Sequence, residues 1–78
     1  MKQVIIYSRH GCHLCETARV ELEAMRSEID FDLEEAFIDG DSKLESEYGL
    51  MVPVILIDGK MHGYGRIERA RFKAAILA

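Results

Sequence analysis

The chain has 78 residues, 49% of them hydrophobic and 31% charged, with a formal net charge of -4. That length supports one small domain, the acidic balance argues against a nucleic-acid partner, and no run approaches a membrane span of ~20 apolar residues or the apolar region of a secretory signal. The expectation is a single domain over residues 1–78, a monomer in the cytoplasm with neither a nucleic-acid nor a membrane partner.

Val4-Ile5-Ile6-Tyr7 is a short apolar run of the kind a buried parallel strand shows. Ser8 to Gly11 is a polar, glycine-containing loop. Leu14, Ala18, Leu22, Met25 and Ile29 then recur at helical spacing and mark one face. Glu16, Arg19, Glu21, Glu23 and Arg26 make the wet face between them. Phe31 to Ile38 begins with alternation and ends apolar, which predicts a strand. Its Glu34-Glu35 pair suits an exposed sheet edge, where charge discourages unwanted pairing. Neighbouring strand residues point to opposite faces, so the pair is not read as catalytic.

Asp39-Gly40-Asp41-Ser42 is a turn cluster, and Ser42 with Glu45 fits a capping box for a short helix stopped at Gly49. Val54 to Ile57 is a second apolar strand. Asp58-Gly59 is a two-residue hairpin signal leading into a short strand, Lys60-Met61-His62. Gly63-Tyr64-Gly65 interrupts the pattern. Ile67, Ala70, Ala74 and Leu77 mark the inner face of a last helix, with Arg66, Glu68, Arg69, Arg71 and Lys73 on its outer part. The predicted order is β-α-β-(short α)-β-β-α. The first three elements make a parallel crossover and the hairpin adds an antiparallel pair, so the fold class is α/β with a four-stranded mixed sheet and flanking helices.

Cys12 and Cys15 are the two cysteines of the chain. They sit in Ser8-Arg9-His10-Gly11-Cys12-His13-Leu14-Cys15, where a strand-like run gives way to a helical one. A C-x-x-C at a helix start near a β-α-β pattern reads as a redox motif. The helix N-terminus favours negative charge and stabilises a thiolate placed there. Cys12, at the first turn, is expected to be the exposed nucleophile. Cys15, one turn in, is expected to be more buried and to resolve the mixed disulfide. Arg9, His10 and His13 bring positive charge to the pair. His13, between the cysteines, is expected to stabilise the thiolate and make the pair more oxidising. Gly63 and Gly65 permit close backbone approach and an anion-binding end to a groove. Tyr64 is read as stacking on a substrate or covering the core, and Tyr7 as packing.

Ile6-Tyr7-Ser8-Arg9-His10-Gly11-Cys12-His13-Leu14-Cys15 resembles the active-site strand and loop of a glutaredoxin. Tyr48-Gly49-Leu50-Met51-Val52-Pro53-Val54-Ile55 resembles the glutaredoxin segment that carries a cis-proline. The likeness covers essentially the whole chain and implies a thioredoxin-like fold of the glutaredoxin type and a thiol–disulfide oxidoreductase. It implies a cis bond before Pro53, a Val52 backbone facing Cys12 that pairs with an extended substrate, and Arg9 as a contact for the glutathione carboxylate. Two departures stand out. His13-Leu14 replaces the usual Pro-Tyr between the cysteines. Gly63-Tyr64-Gly65-Arg66-Ile67 replaces Gly-Gly-x-Asp-Asp, so both acidic positions are gone. These departures are similar to those of small bacterial glutaredoxin-like proteins.

The substrate is therefore expected to be a protein or small-molecule disulfide, with glutathione or a reductase as electron donor. No tightly bound cofactor or metal is expected. Two other readings compete. One is a metal-binding module, holding zinc through Cys12, Cys15, His10 and His13 or His62, or an iron–sulfur cluster shared across a dimer by analogy with some glutaredoxins. It lacks a second, separated ligand pair. The other is a redox-inactive binding domain that keeps the fold, against which the intact C-x-x-C argues.

Overall fold

The computed structural model describes all residues from Met1 to Ala78. Four strands, β1 (Gln3–Ser8), β2 (Asp32–Phe37), β3 (Val54–Ile57) and β4 (Lys60–Tyr64), form one sheet in the order β2-β1-β3-β4. The helices are α1 (His13–Met25), α2 (Ser42–Tyr48) and α3 (Arg69–Leu77). β1 runs parallel to β2 and antiparallel to β3, and β3 pairs antiparallel with β4. This is the expected mixed sheet of a thioredoxin-like α/β fold, with β2 at an edge.

Period-two alternation along β1 sends Val4, Ile6 and Ser8 to one face, and all three are buried. Ile55 pairs with Ile6 and joins that face. Ala18, Leu22 and Met25 of α1, Phe72 and Ile76 of α3, and Phe31 complete the core cluster. Phe31 meets Phe72 edge-on, with ring centroids 5.3 Å apart. Tyr7 points the other way and stacks on Tyr48 of α2 at 5.3 Å, the packing role expected of it. The hairpin forms as expected, with Asp58 and Gly59 both in the left-handed region (φ 50° and 82°) that a tight strand reversal requires.

Four local expectations are corrected. Leu14 does not open the buried face of α1. It is 49% exposed, and Cys15, Ala18, Leu22 and Met25 form that face instead. The cap of α2 is Asp41, whose carboxylate accepts from the Leu44 amide at 3.1 Å, while Ser42 is the first helical residue. Glu45 accepts from the Gly40 amide at 2.9 Å, so it caps the turn before Asp41 and does not close a box with Ser42. β4 extends through Gly63 and Tyr64, with an irregularity in its pairing between Ile55 and Leu56. In α3 the inner face is Phe72 and Ile76, while Ala70, Ala74 and Leu77 are exposed. Ile67 packs on the core from the loop before the helix. The largest apolar side chain on α3 sets its rotation, because alanines gain little from burial.

Candidate active site

The C-x-x-C lies where β1 hands over to α1. Cys12 is the N-cap of α1, in extended backbone (φ -100°, ψ 107°). Its carbonyl accepts the first helical bond, from the Glu16 amide at 3.1 Å. Its sulfur accepts from the Cys15 amide at 3.2 Å, in place of the usual capping oxygen. An amide donor and the positive end of a helix both favour a thiolate over a thiol at Cys12. Cys12 and Cys15 are joined by a disulfide, with Cα atoms 5.2 Å apart. Cys12 is half-buried, whereas Cys15 is 2% exposed.

The loop before Cys12 is fastened to the β2–α2 side. The Asp39 carboxylate accepts from the His10 backbone amide at 3.1 Å, and the His10 ring Nδ1 lies at the same distance. The bond from the His10 amide, ahead of the weaker ring contacts, holds the Asp39 carboxyl below its ordinary range. His10 also stacks on Phe37, with centroids 4.2 Å apart and planes 11° from parallel. Arg9 Nη1 donates to the Gly49 carbonyl at the end of α2, 3.1 Å away. Ser8 Oγ, fully buried, donates to Glu35 of β2 at 2.9 Å.

Pro53 is buried immediately before β3, and its bond to Val52 is cis, as expected. No hydrogen bond within the chain uses the N–H or C=O of Val52. The Pro53 carbonyl accepts from the Gly65 amide at 2.8 Å, which ties the β4–α3 loop to the cis-proline segment. Gly65 makes that turn with φ 78°, a conformation that suits glycine.

The other predicted residues are scattered around this centre. His13 is fully exposed, with Nδ1 3.8 Å from Glu16. Gly63 lies in β4 opposite Ile55, where a Cβ would meet an Arg71 guanidinium nitrogen at 3.2 Å. Gly63 is therefore a strand residue that makes room for Arg71. Tyr64, at the end of β4, is 60% exposed and covers little of the core. Arg9 lines a hollow with Cys15, while Gly63 and Tyr64 line a different one that shares no residue with it. A further groove of about 370 Å³ runs from Leu14 past Thr17, Ala18 and Glu21 to Gly65 and Arg66. His62 packs edge-on against Phe72, and burial, then the Arg71 charge, push its imidazole below the usual histidine range. His10 is engaged by Asp39 on the far flank. No group of three or more His, Cys, Asp or Glu side chains gathers in a way that could hold a metal ion.

The model of the glutaredoxin-like domain family (DUF836) matches residues 3–77. The chain belongs to that family. The chain is 33% identical over 79 residues to the uncharacterized protein Rv0508 of Mycobacterium tuberculosis, covering 95% of this chain and 81% of that protein. The solution structure of protein Ne2328 from Nitrosomonas europaea matches with a TM-score of 0.86 at 28% identity, over 96% of this chain and 91% of that one. Protein XcR50 from X. campestris matches at 35% identity with a TM-score of 0.71, over 92% of each chain. Thioredoxin from Trypanosoma brucei brucei shares the fold alone, at 21% identity and a TM-score of 0.68 over 100% of this chain and 77% of that one. A thioredoxin-like fold carrying a C-x-x-C pair fits a thiol oxidoreductase.

Two features escaped the sequence reading: the His10–Asp39 clamp and the inward placement of Glu35. The second had a signal. Leu33, Glu35 and Phe37 alternate along β2, and Leu33 packs on the core, so the same period turns Glu35 inward. The clamp joins residues 29 apart in sequence and had no local signal.

Proposed function

We propose that this domain is a thiol–disulfide oxidoreductase in which Cys12 attacks the substrate disulfide and Cys15 resolves the intermediate. The observation that carries the reading is the asymmetry of the pair: Cys12 caps the helix with a donor on its sulfur, and Cys15 is buried one turn on. In the first step the Cys12 thiolate bonds to one substrate sulfur and the other leaves as a thiolate. In the second, Cys15 sulfur bonds to Cys12 sulfur and the remaining substrate sulfur leaves. Two electrons pass to the substrate and the Cys12–Cys15 disulfide remains, to be reduced by an external thiol.

A protein disulfide in an extended segment is the favoured substrate, since the Val52 backbone, unused within the chain, offers it a strand to pair with. Arg9 lines one hollow while Gly63 and Tyr64 line another, which supports a reductase protein over glutathione as electron donor. In this reading the domain works as a monomer in a reducing compartment, the cytosol. No helix is long and apolar enough to cross a membrane.

The test is a disulfide-reduction assay coupled in parallel to glutathione with glutathione reductase and to a thioredoxin reductase. Wild-type protein turns over with the reductase, and Cys12→Ser abolishes turnover. Full activity of Cys12→Ser would refute the reading. Turnover with glutathione alone would reverse the choice of donor.

A further inference from the structure

Glu34 and Glu35 are neighbours on β2, yet they sit in different surroundings. Glu34 is exposed, and Glu35 is half-buried on the face that α1 covers. Ser8 Oγ donates to Glu35 Oε2 at 2.9 Å, and Arg19 Nε from α1 lies 3.6 Å from Oε1. Glu35 and Cys15 line the same hollow of about 370 Å³. The other ionisable groups facing it are Arg9 and His10 from the β1–α1 loop, and Glu16 and Arg19 from α1. Glu16 is exposed and turned toward His13.

Resolution needs Cys15 to lose its proton, and burial disfavours a thiolate. Cys12 has the helix end and an amide donor, whereas Cys15 is enclosed. We propose that Glu35 is the proton acceptor for Cys15 in the resolving step, an assignment that rests on the oxidoreductase reading above. As Cys15 Sγ attacks Cys12 Sγ, its proton passes through water in the hollow, which is large enough to hold it, to the Glu35 carboxylate. The Cys12–Cys15 bond forms while the bond from Cys12 to the substrate sulfur breaks. The electron pair leaves with that sulfur as a thiolate. Glu35 then returns the proton to the departing thiolate or to bulk water, and its carboxylate is restored. Ser8 and Arg19 are positioning residues that aim the carboxylate.

The experiment uses dithiobis(nitrobenzoate), a symmetric disulfide whose two halves are coloured once released. Mixed rapidly with the reduced protein at equal concentration, it reports Cys12 attack as the first release and Cys15 resolution as the second. Glu35→Gln keeps an oxygen to accept from Ser8. It is expected to leave the first release unchanged and to slow the second by about 100-fold at neutral pH. The slowed phase should rise in proportion to hydroxide, because the thiolate must then form without the base, and should approach the wild-type rate in alkali. Glu35→Asp should restore part of the rate, and Glu34→Gln should change neither release. A second release at the wild-type rate in Glu35→Gln, or an equal slowing of both releases, would overturn the assignment. Absence of any first release from wild-type protein would instead overturn the oxidoreductase reading itself.

Discussion

The two flanks of the C-x-x-C are built differently. On the β2–α2 flank, Asp39, Phe37, Gly49 and Glu35 hold His10, Arg9 and Ser8 by hydrogen bonds and one ring stack. On the β4–α3 flank, the Gly65 amide bonds Pro53, Arg66 has no hydrogen-bond or ion-pair partner, and Glu68 caps α3 without a side-chain bond. Polar bonds fix the loop on the first flank, whereas on the second Arg71 donates to the His62 carbonyl at 2.6 Å and Phe72 and Ile76 are buried beneath. One flank thus fastens the loop that leads to Cys12, while Arg66 and Glu68 on the other stand exposed.

That contrast can be broken most severely from below. Phe72→Ala should cost roughly 3–5 kcal/mol, because it empties a site with no exposure against Phe31 and His62. Urea unfolding measures it, and a loss below 1 kcal/mol would mean that α3 is not anchored there.

Asp39→Ala attacks the fastened flank. It removes both His10 contacts from an exposed carboxylate, so its stability loss should be smaller than that of Phe72→Ala. It should slow Cys12 attack by misplacing the loop. Because the Asp39 carboxyl is held below its ordinary range, the bond contributes stability above the ordinary Asp pKa of about 3.9, and loses it as pH falls through the depressed value. Acid unfolding of Asp39→Asn should lack that component.

Arg66→Ala sharpens the comparison from the open side. A surface change of this kind should leave stability within about 0.5 kcal/mol. It should alter KM for charged disulfide peptides while kcat stays constant. A large stability loss would show that Arg66 belongs to the frame.

The smallest effect is the pH dependence of His62. Burial, then the Arg71 charge, lower its imidazole below the usual histidine range. The unfolded chain therefore binds more protons through the histidine range, so stability is present above about pH 6.5 and declines as pH falls through it. The urea midpoint should fall from pH 8 to pH 5 in wild-type protein and fall less in His62→Gln.

What the sequence made legible follows the same division. The order of elements along the chain, the hairpin at Asp58-Gly59 and the strand-to-helix placement of Cys12 rest on local patterns, and each forms as read. The cis bond at Pro53 was legible through the family likeness alone. Helix rotation was less legible. Leu14 and Leu77 carry the right period but are 49% and 70% exposed, and Cys15 and Phe72 take the inward positions. Glu35 was hidden by its neighbour, since Glu-Glu suits an edge strand and only the alternation from Leu33 separates the two. Asp39 was hidden by distance along the chain.

The central claim is the division of labour between the two sulfurs. Cys15→Ser protein, reduced and mixed with an oxidised disulfide peptide, tests it by intact mass and peptide mapping. A stable one-to-one mixed disulfide located on Cys12 is the predicted result. No adduct, or turnover at the wild-type rate without Cys15, would contradict it.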